Sequence, residues 1–453
     1  MAIMRRYFSE YFSHYRATLS LGIPLVLGQA GQIVLGFVDG AMIGQYGTNE
    51  LAAASFVTNM FNLPILFGLG FSYALTPLVG QLYGRKAHFE VGSLLKNSLF
   101  ANAAVGVLLS VAMYVFLLNL KRMGQPEELY PLIIPYFWTN LLSLIFIMLF
   151  NAFKQFADGI TDTKTSMWIM LMGNAFNVLG NWVLIYGKFG FPEMGLLGAG
   201  IATLASRILM VFAFLGVFFL TKKYTRFLVG YKRSGYSRQH HKTLNKMGVM
   251  VGLQMAMESG IFNLSTIMVG WLGSVALAAH HVAITIQTLG FMTYYGIGAA
   301  TAVRVSNYYG RGDVGNVKKA ATSGLHIIWL LAAMLMVFLF VFRFDIAAIF
   351  NNDPDVIALV GTLLVIGISY QLSDGLQVNY ANALRGISEV KAMALISFVG
   401  YFLIALPAGY LLGITWNLGI TGIWLGFPIG LTLAGVMFFF WFRRCTRTKG
   451  GAV

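Results

Sequence analysis

Charged residues are scarce in this sequence. Asp, Glu, Lys and Arg together make up 10% of its 453 residues, whereas a soluble globular domain carries about 25%. This low charge excludes a soluble enzyme of two or three domains and an intrinsically disordered chain. Cysteine is almost absent as well, because Cys445 is the single one. A chain with one cysteine forms no internal disulfide, which excludes a secreted disulfide scaffold.

Hydrophobic residues are abundant instead, at 58% of the chain, and the mean hydropathy is +0.73. The apolar stretches are unbroken and about twice as long as the ~10 residues of a transmembrane β-strand. The sequence therefore predicts an all-α polytopic membrane protein with twelve transmembrane helices. The predicted spans cover residues 17–44, 51–78, 93–119, 129–152, 166–187, 197–220, 247–272, 276–303, 322–342, 356–383, 392–413 and 420–441.

The positive charges are distributed unevenly along the chain, which has 31 Lys and Arg against 16 Asp and Glu. When the N-terminus is placed in the cytoplasm and the loops alternate, 26 of the 31 fall on the cytoplasmic side. Lys121, Arg122, Lys188 and Arg343 fall outside, and Arg207 lies within the sixth span. By the positive-inside rule, this asymmetry predicts a bacterial inner-membrane protein with both termini in the cytoplasm. It also explains the basic composition without a nucleic-acid partner.

The two halves of the chain resemble each other at a fixed offset. At an offset of 226, Gly47 and the run 51–53 match Gly273 and the run 277–279, and at 227 Lys164 matches Lys391. Each half holds six predicted spans, an even number, so the sequence predicts two six-helix bundles related by a parallel internal repeat. The predicted domains are an N-terminal lobe (1–220), a cytoplasmic linker (221–245), a C-terminal lobe (246–442) and a basic tail (443–453).

Three acidic residues, Asp39, Glu258 and Asp374, lie well inside predicted spans. A carboxylate there costs about 2.5–3.5 kcal/mol on insertion scales, so each is a functional-site hypothesis. The alternative is a structural ion pair, for which Arg207 is the intramembrane cation. Glu258 and Asp374 could bind Na⁺ as oxygen ligands or carry a proton, since burial and a nearby like charge favour the protonated form. Tyr370 lies one turn before Asp374 and could add a hydroxyl ligand.

Several motifs resemble those of the MATE multidrug and toxin extrusion transporters, and together they extend over nearly the whole chain. Asn177-x3-Asn181-Trp182 resembles the NorM branch in particular. The other matching stretches are Val38-Asp39-Gly40-x3-Gly44-x2-Gly47, Gly80-Gln81-x2-Gly84-Arg85, Asp158-Gly159-Ile160-Thr161-Asp162-Thr163-Lys164, and Glu258 before Gly270-x2-Gly273.

The resemblance implies a bilobed twelve-helix fold that exports cationic, often aromatic drugs in exchange for Na⁺ or H⁺. It implies that Glu258 and Asp374 couple transport to the cation, with Tyr370 beside them. It also implies that Asp39 is the acidic residue of the N-terminal lobe, tied to coupling or to substrate binding. Phe291 stands where some NorM relatives have a tyrosine, which would remove one hydroxyl from the cation site. The candidate substrate contacts are Gln32, Asn177, Asn181 and Phe291.

Two other classes of protein compete with this interpretation. A flippase for lipid-linked oligosaccharides or polysaccharides would line its cavity with Arg and Lys to hold a pyrophosphate, whereas Arg207 is the clear intramembrane cation here. An intramembrane enzyme would cluster acidic, His or Ser groups at one membrane face, and no such cluster is visible in the sequence. We therefore expect a transporter and not an enzyme, with small organic cations and membrane lipid as partners and no cofactor besides the coupling ion. We expect a monomer, because the internal repeat makes one copy of the chain sufficient.

The topology is testable by cysteine labelling. In a Cys445→Ser background, we expect Lys232→Cys to react with a membrane-impermeant maleimide from the cytoplasmic side only. We expect Asn352→Cys to react from the outside only. Reaction of both cysteines from the same side would contradict twelve spans with cytoplasmic termini.

Overall fold

The computed structural model describes the backbone of residues 2–448 and the side chains of residues 10–447. Within that part the chain forms α-helices joined by short turns, and no β-strand is present. The helices are α1 (Ala2–Tyr46), α2 (Thr48–Tyr73), α3 (Leu75–Gly84), α4 (His88–Leu118), α5 (Tyr130–Gly159), α6 (Thr163–Ile185), α7 (Gly195–Leu220), α8 (Thr225–Arg233), α9 (Arg238–Gly270), α10 (Ser274–Gly310), α11 (Val314–Phe350), α12 (Pro354–Gly386), α13 (Val390–Phe398), α14 (Leu406–Tyr410) and α15 (Gly419–Thr448).

Twelve long helical segments match the predicted spans within this described part. The second joins α2 and α3, and the eleventh, Val390–Thr415, contains two π-helical stretches, Val399–Ala405 and Leu411–Thr415. Eleven of the segments are long and apolar enough to cross a membrane. The remaining one, α9, has 33 residues but is more polar, since it includes Gln254 and Glu258. The prediction of an all-α polytopic membrane protein is confirmed.

The backbone repeats itself in the two halves. Lys86 and Gly312, which are 226 residues apart, both have left-handed backbone angles, with φ of 60° and 76°. Thr161 and Ser388, which are 227 residues apart, also share this conformation, with φ of 68° and 64°. Residues other than glycine adopt it rarely, and three of these four residues are not glycine, so the matched pairs indicate that the corresponding turns have the same backbone conformation.

The described residues form two compact units. One consists of residues 27–252, and the other of residues 1–26 together with 253–453. Helices α1 and α9 therefore each contribute residues to both units. The lobe boundaries predicted from chain order remain a prediction. Of the predicted basic tail, residues 443–448 continue helix α15, and residues 449–453 lie outside the described residues.

The first part of α1 is held by a buried arginine of α10. Arg304 is 4% exposed, and its guanidinium donates to the backbone oxygen of His14 at 2.9 Å and to Thr18 Oγ1 at 2.6 Å. It also lies 2.6 Å from His14 Nδ1. His14 and Thr18 are four residues apart, so they lie on one face of α1. A buried charge is tolerated only with such partners, which fixes this part of α1 on α10.

The predicted linker is largely helical. It contains α8, and α9 already begins at Arg238. Helix α8 packs on the start of α4 at very short range, because a side chain on Gly92 would come within 2.1 Å of the backbone oxygen of Phe227. Phe227 and Gly230 face the protein, and Arg226, Lys232 and Arg233 remain exposed.

Asp162 ties this segment to the turn before α6. It caps α6, since its Oδ1 accepts a hydrogen bond from the backbone N–H of Thr165 at 3.4 Å. Its Oδ2 accepts from Thr165 Oγ1 at 2.8 Å. The same oxygen accepts from Tyr224 at 2.7 Å and pairs with Lys223 at 2.8 Å. Burial opposes ionisation of Asp162, but the hydrogen bonds from Lys223, Tyr224 and Thr165 outweigh it and lower the pKa below its usual value of 3.8.

Asp162→Asn should destabilise the protein by about 1–2 kcal/mol at pH 7, because charge-assisted hydrogen bonds are lost. A carboxyl whose pKa is lowered by folding stabilises the fold above its unfolded pKa. That stabilisation disappears as the pH falls through the folded pKa, so the difference should shrink below about pH 3.8. Thermal unfolding in detergent measures it, with the exposed Glu128→Gln as a control. An equal melting temperature for Asp162→Asn and the wild type at pH 7 would contradict the assignment.

Candidate functional site

Helix α12 carries a chain of buried polar side chains in the unit formed by residues 1–26 and 253–453. Asp374 is 6% exposed, and its Oδ2 accepts a hydrogen bond from the Tyr294 hydroxyl of α10 at 2.8 Å. The same hydroxyl lies 3.0 Å from Gln371 Oε1, and Gln371 donates to Gln287 Oε1 at 2.6 Å. A phenol has one proton to donate. The Tyr294 hydroxyl therefore donates to Asp374 when that carboxyl is ionised, and it can donate to Gln371 instead when the carboxyl is protonated.

Glu258 of α9 belongs to the same site. It is half-buried, and its Oε2 accepts from Gln254 Nε2, one turn earlier on α9, at 2.8 Å. The charge of Asp374 acts on Glu258, and the hydroxyls of Tyr294 and Tyr401 lie within electrostatic reach of both carboxyls. The structure thus brings together the two acidic residues that the sequence predicts as a cation-coupling pair.

A small cavity adjoins Glu258. Its volume is about 10 Å³, which is room for one water molecule or one bare ion. The side chains that line it come from α9, α10, α12 and α13. They are Gln254, Met255, Glu258, Tyr295, Gln377, Val378, Ala381, Asn382, Arg385 and Met393.

The two predicted aromatic residues of this unit have different surroundings. Tyr370 is 4% exposed, lies within electrostatic reach of Asp374, and packs edge-on against Phe427 with ring centroids 6.4 Å apart. Phe291 packs edge-on against Tyr294 at 5.6 Å. Tyr294, three residues after Phe291 on α10, places a hydroxyl on Asp374.

Asp39 is the centre of a separate polar cluster in the unit formed by residues 27–252. Its Oδ1 accepts from Asn181 Nδ2 at 2.7 Å. In the amide orientation of Asn177 that satisfies its neighbours, its nitrogen lies 3.0 Å from the same oxygen and its own oxygen accepts from Thr203. Asn177 and Asn181 lie one turn apart on α6 and are almost fully buried. The structure therefore brings three predicted residues together as one carboxyl with two amide donors.

Close helix packing puts this cluster in place. A side chain on Gly28 of α1 would come within 2.3 Å of the terminal methyl of Met170 on α6, so a larger residue there would have to displace that methionine side chain. Arg207 of α7 donates to Ser143 Oγ and lies within electrostatic reach of Asp39. Gln32, the fourth residue predicted in this half, lies on an exposed part of α1.

Sequence reasoning missed several polar residues of the site on α12 and around it. Gln371, Asp374 and Gln377 follow each other at intervals of three residues, and Gln254 precedes Glu258 by four. Both spacings put the side chains on one helix face, a signal that was available in the sequence. Tyr294 and Tyr401 carry no such signal, because tyrosine is common throughout the predicted spans.

These observations define a polytopic α-helical membrane protein with buried carboxyl sites in each of its units. The MatE family model matches the chain twice, at residues 24–183 and 251–411, and the two matches start 227 residues apart. The chain belongs to the MATE family, and the double match confirms its internal repeat.

Similar proteins agree with this assignment. The multidrug resistance protein NorM of Photobacterium profundum is 33% identical over 444 residues, which cover 94% of this chain and 95% of that protein. The multidrug resistance protein MdtK of Yersinia pseudotuberculosis is 31% identical over 436 residues, with the same coverage.

Solved structures share the fold. The eukaryotic MATE transporter AtDTX14 has a TM-score of 0.85 at 17% identity, over 97% of this chain and 98% of that one. A MOP superfamily transporter from Pyrococcus furiosus has a TM-score of 0.87 at 21% identity, over 96% and 97%. By its family model and its similarity to NorM and MdtK, the protein is a multidrug efflux transporter of the MATE family, a family of transporters and not of enzymes, whose members export small organic compounds.

Tyr294→Phe removes the donor to Asp374 without changing the ring. Because a hydrogen bond to a charged group contributes about 1.5–3 kcal/mol, we expect drug efflux from cells that express the variant to fall by about tenfold or more at equal protein level. The control is Tyr114→Phe, whose ring packs on Trp138 in the other unit. Equal efflux by Tyr294→Phe and the wild type would show that this hydrogen bond does not matter for transport.

Proposed function

We propose that the protein is an antiporter that exports small organic cations, often aromatic, in exchange for Na⁺ or H⁺. The observation that carries this proposal is the pair of carboxyl groups, Glu258 and Asp374, within electrostatic reach of each other. Two carboxylates in a low-dielectric site attract any small cation and repel anions. The proposed location is the bacterial inner membrane, with both termini in the cytoplasm.

Exchange follows from competition for this negative charge. A buried carboxylate needs compensation in every state of the transport cycle, and Na⁺, a proton or a cationic drug can each supply it. Binding of one cation then disfavours binding of the other, and this negative coupling is reciprocal. Tyr294 supports the proposal, because its single proton can follow the charge state of Asp374.

Asp39 is proposed as a second carboxyl of the transport cycle, in the other unit. Its known neighbours, Asn181 and Asn177, are amide donors, which stabilise the ionised form. Arg207 adds positive charge nearby. An organic cation or a proton that reaches Asp39 would therefore compete with these donors for the carboxylate.

The buried arginines do not favour the flippase alternative. Arg207 donates to Ser143, Arg304 to His14 and Thr18, and Arg385 to Asn382. Each guanidinium thus has protein partners in its own unit. A pyrophosphate carrier would require guanidinium groups that are available to the cargo.

The proposal is tested by efflux of ethidium from proteoliposomes, with an imposed Na⁺ gradient compared with an imposed pH gradient. We expect Glu258→Gln and Asp374→Asn each to abolish gradient-driven efflux while the protein still folds, since neutralising a buried carboxylate removes a desolvation cost. Asp39→Asn should impair efflux, and Tyr370→Phe should have a milder effect.

Asp345→Asn, which changes an exposed carboxylate of α11, is the matched control and should transport normally. An anionic dye of similar size should not be exported by any variant. Near-normal ethidium efflux by a well-folded Glu258→Gln, Asp374→Asn double mutant would refute the mechanism. Export of anionic compounds alone would refute the assignment of cationic cargo.

A further inference from the structure

Three arginines converge on one cavity near the C-terminal end of α15. Arg443, Arg444 and Arg447 are all exposed, and together with Phe440 they line a surface cavity of about 300 Å³. Residues three and four positions apart are neighbours on a helix surface, so these four side chains lie on one face of α15. Three guanidinium groups around one cavity attract an anion, because arginine remains charged at every physiological pH.

The arginine face continues an exposed apolar face of the same helix. Ile429, Val436 and Phe440 are 45%, 36% and 61% exposed. They are seven and four residues apart, which places them in line with Arg443 and Arg447. Because α15 is long and apolar enough to cross a membrane, this exposed face lies against lipid chains. Arg443 follows Phe440 by about 4.5 Å along the helix axis, where the lipid chains give way to headgroups.

Aromatic rings hold two of the guanidinium groups close to the helix. The Cζ atom of Arg443 lies over the ring of Phe439, 4.7 Å from its centroid, and that of Arg444 lies 5.4 Å from the centroid of Trp441. Phe439 packs edge-on against Tyr380 of α12, with ring centroids 5.1 Å apart. A guanidinium donates through N–H groups in its own plane, so contact with a ring through its face leaves these donors for a phosphate.

No carboxylate of residues 10–447 forms an ion pair with Arg443 or Arg447. The buried arginines of the same unit differ in this respect, since Arg304 donates to Thr18 and Arg385 to Asn382. The end of a helix carries about half a negative charge, which three guanidinium groups exceed several-fold. The positive-inside rule accounts for the sign of these charges but not for their convergence on one cavity beside an apolar face.

We propose that Arg443, Arg444 and Arg447 bind the phosphate group of an anionic phospholipid. Arginine binds phosphate through paired N–H groups, and basic pockets at the ends of transmembrane helices bind anionic headgroups. A lipid fits better than free phosphate, because its chains can lie along the apolar face that ends at Phe440 while its phosphate reaches the arginines. The site shares no residue with Glu258 and Asp374, so it does not depend on the proposed antiport.

The test is lipid binding to the purified full-length protein in detergent, measured by native mass spectrometry during titration with phosphatidylglycerol or phosphatidylcholine. We expect the wild type to bind a first phosphatidylglycerol at least tenfold more tightly than phosphatidylcholine. For the double variant Arg443→Gln, Arg447→Gln we expect the Kd for phosphatidylglycerol to rise by about tenfold or more, since each basic residue contributes to attraction of an anionic headgroup. The Kd for phosphatidylcholine should change much less.

Lys232→Gln, Arg233→Gln is the matched control. Both residues are exposed on α8 in the other unit, so this variant loses the same charge elsewhere on the protein. Its Kd for phosphatidylglycerol should stay within about twofold of the wild-type value. Arg443→Lys, Arg447→Lys retains the charge without the paired N–H groups, so its Kd should lie between those of the wild type and the glutamine variant. It also tests the site if the glutamine variant folds poorly.

Four results would overturn the site. They are an unchanged Kd in the folded glutamine variant, an equal rise in the control on α8, wild-type affinity in the lysine variant, and displacement of phosphatidylglycerol by an equal concentration of inorganic phosphate. The second would mean that net charge alone attracts the lipid, and the fourth that the cavity binds free phosphate. None of them bears on the antiport, which the ethidium efflux of the Glu258 and Asp374 variants tests separately.

Discussion

The energetic cost of a carboxylate among apolar helices is the constraint on which the rest of the structure depends. Glu258 is tolerated because a glutamine of its own helix donates a hydrogen bond to it, and Asp374 and Asp39 because a tyrosine and an asparagine of neighbouring helices do so. The donors to Asp374 and Asp39 require helices that approach closely, and Gly28 of α1 lies close to the Met170 side chain of α6, the helix that carries Asn181. Helix packing therefore directly affects the charge state of these carboxyl groups, since a shift of a helix changes the solvation of a charge.

The fold and the central acidic residues could be predicted from the sequence, because both depend on local properties. Long apolar stretches predict spans, and a carboxylate within a span stands out against its surroundings. The repeat was also visible, and matched turns at Thr161 and Ser388 show that it extends to backbone conformation. The side-chain environment does not repeat in the same way: Gln32, which precedes Glu258 by the repeat offset of 226 residues, is exposed on α1, whereas Glu258 is half-buried.

The rest of the site depends on contacts between helices distant in sequence. Tyr294 donates a hydrogen bond to Asp374, which is 80 residues away in sequence. Gln377 donates to Tyr401, which is 24 residues away and lies in a π-helical stretch. The hydrophobic periodicity of the sequence does not predict such a stretch. The same limit applies to the segment 221–245. Its short basic helix α8 resembles a linker in composition, and only its packing on α4 through Gly92 shows why it is ordered.

The hydrogen bonds of Arg304 restrict how α1 can slide along α10. His14 and Thr18 are spaced by one helical turn, and the guanidinium uses both. A displacement of α1 by one or two residues would rotate His14 and Thr18 out of reach of Arg304. The guanidinium would then be buried without these hydrogen-bond partners. The smallest axial step that presents the same helix face again is a full turn, about 5.4 Å. We therefore expect any movement of α1 at this contact to proceed in steps of a helical turn and not continuously.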